Sequence, residues 1–248
     1  MARLIVLGAT GRLGRVVLRQ ALAAGHEVAA VVRDPAALQP APGTISVHVH
    51  DLRDPIPPEM IRGFDALINC AGHVGDEQRF VDLVDRIVTS LERLPANEQP
   101  VSWFLAGAAL LDIDRSGRRG VDIAPIASTY WPHRANFERL NRSALADWRL
   151  LCPGPMVDAA PLGVERLRIS VDRLPVEPAV AIGAVPETQL VAAIASLTPQ
   201  MSVPYADAAA FMLANLERAS AMARHRFGLA LPDGRPVPSH HHMELAST

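Results

Sequence analysis

Gly8, Gly11 and Gly14 follow the apolar run Leu4-Ile5-Val6-Leu7 at three-residue intervals, in the stretch Gly8-Ala9-Thr10-Gly11-Arg12-Leu13-Gly14. A strand that passes through such a loop into a helix turns backbone N–H groups, and the positive end of the helix dipole, toward an anion. Gly8 allows the tight turn out of the strand, Gly11 lets the backbone approach a phosphate, and Gly14 lets the helix pack closely on the sheet. The chemistry this suits is capture of a dinucleotide pyrophosphate. Arg33 stands 19 positions after Gly14, at the end of the next apolar run, where the chain passes an adenosine ribose. Its guanidinium can make bidentate, charge-assisted bonds to a 2′-phosphate, and Arg12 offers a second cation. Asp34 can instead accept a bond from a free 2′-hydroxyl. The residue nearest the strand end tends to face the ribose, so NADP(H) is favoured over NAD(H).

A second constellation is Tyr130, His133 and Arg134 in the stretch Tyr130-Trp131-Pro132-His133-Arg134. A phenol with a cation four residues later can exchange a proton with a carbonyl oxygen, and an imidazole can act as a general acid or bind an anion. The competing readings are a tyrosine packed at a loop–helix junction and ordinary loop histidines, His73 included. Pro132 predicts that Tyr130 lies ahead of a helix over residues 135–146. Cys70 and Cys152 have no metal-ligand spacing, and on a doubly wound sheet their strands would not be adjacent, so reduced thiols are expected. No metal site is expected.

These residues need a frame. Leu13, Val16, Val17, Ala21 and Ala24 share one helical face, Gly25 suits a helix C-terminus, and residues 28–32 read as a buried strand. A turn at 40–43 leads to a third strand over 44–49, and a fourth covers 66–69. Phe80, Leu83, Val84, Ile87 and Leu91 mark a helix over 76–94, followed by strands at 101–105 and 148–151. Strands alternating with helices at this spacing predict a parallel sheet covered on both faces. Beyond Met156 come a short strand over 167–171, helices over 187–197 and 205–217, and a last strand over 227–231. The expectation is one domain over 1–248, with a small substrate lobe over 156–231. The tail over 232–248, which holds His240-His241-His242, has no core-forming pattern and is expected to be disordered. The 24 basic and 26 acidic residues nearly cancel, so charge suggests neither a nucleic-acid nor a membrane partner. No run approaches the roughly 20 apolar residues of a membrane helix, and a cytoplasmic protein is expected.

With these pieces placed, the chain resembles the atypical short-chain dehydrogenase/reductase (SDR) group, in its NAD(P)H-binding, NmrA-like branch. The resemblance rests on Gly8-Ala9-Thr10-Gly11-Arg12-Leu13-Gly14, Val31-Val32-Arg33-Asp34-Pro35, Asp51-Leu52-Arg53-Asp54 and Asn69-Cys70-Ala71-Gly72. It continues through Glu138-Arg139-Leu140, Asp147-Trp148-Arg149-Leu150-Leu151-Cys152-Pro153-Gly154 and Val203-Pro204-Tyr205-Ala206-Asp207. It implies an α/β Rossmann fold, a doubly wound parallel sheet with helices on both faces and a small C-terminal substrate lobe. It also implies that Asp51 and Leu52 lie at the adenine edge, that Cys70, Ala71 and Gly72 line the cofactor cleft, and that Pro153, Gly154, Pro155 and Met156 wall the nicotinamide. Ordinary SDR enzymes use a Ser, a Tyr and a Lys. Here Arg134 stands at the Lys position, and Ala106-Gly107-Ala108 ends the strand that should deliver the Ser, leaving Ser128 as a substitute from the following segment. Two functions follow from the resemblance. One is an NADPH-dependent oxidoreductase acting on a small carbonyl, quinone or flavin-like acceptor. The other is a non-catalytic, NADP(H)-sensing regulator with a protein partner.

Overall fold

A computed structural model describes residues 1–38, 45–179, 185–218 and 221–232. The expected turn at 40–43, Thr44 and nearly all of the tail, with His240–His242, lie outside the described residues. The strands are β1 (Arg3–Leu7), β2 (Glu27–Val32), β3 (Ile45–Val49), β4 (Ala66–Asn69), β5 (Val101–Leu105), β6 (Trp148–Leu151), β7 (Met156–Val157), β8 (Arg168–Val171), β9 (Val203–Pro204) and β10 (His225–Ala230). The helices are α1 (Arg12–Ala23), α2 (Pro58–Ile61), α3 (Gln78–Glu92), α4 (Ala124–Arg142), α5 (Glu187–Ser196) and α6 (Tyr205–Leu213). The described residues form two compact units: those of Met1–Leu105 with Pro132–Leu150 and Met212–His225, and those of Ala106–Trp131 with Leu151–Phe211 and residues 226–232.

In the first unit the strand order is β3-β2-β1-β4-β5-β6. β1 pairs in parallel with β2 and β4, so that Leu7 lies between Val31 and Asn69. β2 also pairs in parallel with β3, and β4 with β5. The chain builds outward from β1 to β3, then returns to the other side of β1. Right-handed crossovers therefore put α1 on one face and α3 on the other, the Rossmann arrangement, with a crevice at the carboxyl ends of β1 and β4. Leu4, Ile5, Val6 and Leu7 are all fully buried, as befits a strand covered on both faces.

The buried face of α1 is Leu13, Gly14, Val17, Leu18, Ala21 and Leu22. Val16 is half-buried and Ala24 exposed, contrary to expectation. Close packing of Gly14 rotates the contact stripe toward Leu18 and Leu22, and Ala24 is already the C-cap. Gly25 has φ +78°, as its place after the helix requires. α4 departs further. It begins at Ala124, so Tyr130 lies inside a helix and Pro132 is an interior residue. Proline removes one N–H from the ladder, but Pro132, His133, Asn136 and Leu140 are all buried, and that packing carries the helix through. α4 stops at Arg142 rather than 146 because Arg224 takes its end, donating from Nη2 to Asn141 O (2.7 Å) and from Nη1 to Leu145 O (3.0 Å). Arg139 ties α4 to α3 through Asp85 (2.5 Å) and Glu92 (2.7 Å).

In the second unit β10 pairs antiparallel with β8, with Phe227 opposite Val171, and β7 pairs in parallel with β9. Arg226, nearly buried, bridges Asp112 (3.1 Å) and Asp172 (3.2 Å) and donates to Leu110 O (2.7 Å). Asp207, at the start of α6, accepts the backbone N–H groups of Leu162 (2.8 Å) and Gly163 (2.9 Å).

Candidate functional site

The glycine loop lies between β1 and α1. Gly8 has φ +73°, and a Cβ there would stand 2.7 Å from Ala71 N. At Gly14 a Cβ would overlap Gly8 O and stand 2.9 Å from Ala9 Cα. Gly11 is different: its φ is −74°, and only Gly8 O lies within 4 Å of a Cβ, at 3.3 Å. The turn is closed by bonds from Gly11 N to Gly8 O and from Arg15 N to Gly11 O, both 3.0 Å. The N–H groups of Arg12, Leu13 and Gly14 open α1, where a helix has no internal acceptors for them. No side chain caps this end and its first turn holds no acidic residue. An open backbone at Gly11 before an uncapped helix start fits a pyrophosphate. Thr10 is half-buried and Arg12 exposed beside it.

Beside the loop, β4 ends in a second tight turn. Cys70 N donates to Leu7 O (2.9 Å), and the fully buried Asn69 accepts from Ala71 N (3.1 Å). Gly72 has φ +94°, and a Cβ would run into the Phe80 ring. Burial pushes the Cys70 thiol up to about 12, which keeps it protonated. Cys70 and Cys152 are both free thiols, Cys70 half-buried and Cys152 buried.

At the next strand ends, Val32 is opposite Val49, and His50 N donates to Val32 O (2.9 Å), so Arg33 and Asp51 follow paired residues. Arg33 is exposed. Asp34 instead accepts from Ala36 N (2.9 Å), capping the short turn Pro35–Ala37. Asp51 is gripped by Arg53, whose Nη2 lies 2.6 Å from Oδ2 and whose Nε lies 3.1 and 3.0 Å from the two oxygens. Those bonds, with a smaller contribution from the Arg33 charge, hold the Asp51 carboxyl down at about 2. Arg86 of α3 donates to Leu52 O (3.0 Å), a contact that no local sequence pattern announces.

His133 and Arg134 also belong to the first unit. His133 is 7% exposed and meets Phe80 edge-on, with ring centroids 5.7 Å apart. Burial first, then the charge of His73, lowers its pKa to about 4, so the imidazole is neutral at neutral pH. Tyr130 lies in the second unit, 36% exposed on α4. There the Pro153–Met156 stretch is fixed from both sides: Pro153 O accepts from Ala108 N (2.9 Å), a Cβ on Gly154 would stand 2.7 Å from Met201 O, and Met156 pairs with Val203. Ser128 is inside α4, and its hydroxyl donates to Pro125 O (2.9 Å). Among the described residues no group of His, Cys, Asp or Glu could hold a metal ion, and no helix is long and apolar enough to cross a membrane.

The profile of the NAD(P)H-binding family matches residues 8–177, beginning at the first glycine of the loop. The chain belongs to the NAD(P)H-binding family. The Bacillus subtilis protein YwnB, itself uncharacterized, is 26% identical over 161 residues, 62% of this chain and 73% of YwnB. Among solved structures, SP1627 of Streptococcus pneumoniae, a proposed NADH-flavin reductase, is 20% identical with a TM-score of 0.68, covering 93% of this chain and 100% of that one. ChuY of Escherichia coli O157:H7, an anaerobilin reductase, is 19% identical with a TM-score of 0.64, covering 95% and 100%. At these identities the likeness establishes the shared fold, a Rossmann-like α/β fold with a mostly parallel sheet.

Proposed function

We propose that this protein is a cytoplasmic NADP(H)-dependent oxidoreductase whose acceptor is a small planar conjugated molecule of flavin or quinone type. The observation that carries the reading is the open backbone at Gly11 before the uncapped start of α1, with the Arg33 guanidinium at the neighbouring strand end. The N–H groups of Arg12, Leu13 and Gly14 would bind the pyrophosphate, and Arg33 with Arg12 the 2′-phosphate. Asp34 is spent on Ala36 N, which leaves it poorly suited to a 2′-hydroxyl. Asp51 and Leu52 would border the adenine, and Cys70, Ala71 and Gly72 the cleft beyond it. When bound, the nicotinamide supplies a hydride.

The choice of acceptor follows from what the chain offers a proton. His133 is held neutral by burial, and Ala106-Gly107-Ala108 carries no hydroxyl. Tyr130 would hydrogen-bond the acceptor oxygen, with Arg134 in place of the usual lysine. A conjugated ring spreads the charge it gains and can be protonated by solvent, so it needs less from a positioned acid than a ketone does. The names of SP1627 and ChuY, a flavin reductase and an anaerobilin reductase, favour the same class.

The missing hydroxyl at Ala106–Ala108 also favours a second reading, an NmrA-like NADP(H) sensor that binds without turnover. Calorimetric titration with NADPH and NADH, followed by NADPH oxidation against flavins, quinones, aldehydes and ketones, separates the two. We expect tighter NADPH binding and oxidation with flavins or quinones. Tyr130→Phe should slow that oxidation by less than the roughly 10²–10⁴-fold typical of losing a general acid. Binding with no oxidation of any acceptor establishes the sensor, and equal affinity for the two cofactors overturns the NADP(H) assignment.

A further inference from the structure

The strand ends that carry Arg33 also carry three carboxylates, Asp34, Asp51 and Asp54. Asp34 is occupied by Ala36 N. Asp51 is the critical one, because the pairing of Val32 with Val49 and the bond from His50 N to Val32 O bring it alongside Arg33. A bare Asp51 carboxylate there would either pair with Arg33 or repel the phosphate.

We propose that Arg53 is a specificity-determining residue: by clamping Asp51 it leaves Arg33 to the 2′-phosphate, so that NADP(H) preference depends on a side chain two positions from the carboxylate it neutralises. The clamp is local and already made. Arg53 N bonds Asp51 Oδ1 (3.0 Å) and Asp54 N bonds Asp51 O (2.9 Å), a turn that folds the guanidinium back over the carboxylate. Arg86 fixes the middle of the same turn through Leu52 O. Counted over Arg33, Arg53, Asp34, Asp51 and Asp54, the corner carries a net charge of −1 with Arg53 and −2 without it. The depressed Asp51 pKa has the same two causes, Arg53 foremost and Arg33 behind it. The Arg53 side chain is 79% exposed, so its replacement leaves the packed fold intact.

The proposal rests on the NADP(H) reading above, and the test keeps the two apart. Dissociation constants for NADPH and NADH are measured by calorimetry at low ionic strength, where surface charge is least screened. The proteins are the unmodified chain, Arg53→Gln, Arg53→Lys, Asp51→Asn and the Arg53→Gln/Asp51→Asn pair. The readout is the ratio of the two constants, in which any shared loss at the adenine cancels. We expect Arg53→Gln to reduce the preference for NADPH by about fivefold, the upper scale of an exposed ion pair. Arg53→Lys should keep most of the preference, and adding Asp51→Asn to Arg53→Gln should restore it. A merely structural role for Arg53 would weaken both cofactors alike. Equal affinities in the unmodified chain overturn the NADP(H) reading and this proposal with it. A preference that survives Arg53→Gln, or one that Asp51→Asn does not restore, overturns the proposal alone.

Discussion

A methyl group at Gly14 has no room, since it would overlap Gly8 O and crowd Ala9 Cα at 2.9 Å. Gly14→Ala should therefore destabilise the fold by about 1–3 kcal/mol, the usual cost of overpacking, and lower the urea midpoint. Gly11→Val should do the reverse. Its Cβ meets only Gly8 O, at 3.3 Å, so the chain should fold with an unchanged midpoint while calorimetry shows NADPH binding lost. A variant that still binds NADPH at micromolar levels would move the nucleotide away from this loop. The glycine spacing was legible in the sequence because Gly11 and Gly14 answer to Gly8 and Ala9, a few positions away, whereas the contact of Gly8 with Ala71 was not. The Arg86 bond to Leu52 O spans 34 positions, and nothing in the types or spacing of those residues marks it. His133 entered the reading as a neighbour of Tyr130, but its state is decided by Phe80 and by depth, which adjacency does not carry.

At the scale of elements, Arg149 has the largest consequence. It is fully buried in β6, joined to Asp147 through Nε–Oδ1 (2.8 Å) and Nη2–Oδ2 (2.7 Å), and it donates to Asn215 O (2.9 Å) and Glu217 O (2.7 Å). Trp103 Nε1 bonds the same Asn215 carbonyl (2.9 Å). Arg149→Met should cost about 3–5 kcal/mol, because Asp147 is left charged and buried, and urea unfolding would measure it. A loss under about 1 kcal/mol would mean that Asp147 finds water instead. The network also explains why α6 stops at Leu213 and not at 217: the carbonyls of Asn215 and Glu217 face Arg149 instead of continuing a helix. The buried strands were readable as continuous apolar runs, and α3 because burial repeats along it at a fixed period. β7 and β9, two residues each, are too short to show a period, and α4 carries a proline that its packing overrides.

At the scale of the whole molecule the pKa shifts of His133, Asp51 and Glu92 act in one direction. Unfolded, His133 titrates near its ordinary 6.5; folded, near 4. Between those values the unfolded chain takes up a proton that the folded chain refuses. Stability should therefore fall as pH drops from about 6.5 to about 4, by on the order of 3 kcal/mol in all. Asp51, held at about 2, and Glu92, lowered chiefly by Arg139, favour folding above the ordinary carboxylate range and lose that contribution as acid protonates them. Urea midpoints from pH 7 to pH 4 should decline, and His133→Leu should flatten the decline above pH 4.5. An equal slope in that variant would assign the acid sensitivity to other groups. The Arg149 contacts bear on the order in which the protein can be made. A ribosome finishes the glycine loop early and β6 well before the end, yet the guanidinium at the base of β6 finds its carbonyl acceptors only once Asn215 and Glu217 have been added. Domains ordinarily fold from the N-terminus as they emerge. Here the Arg149–Asp147 pair can form at once, but its two carbonyl bonds must wait for residues translated after most of the second unit.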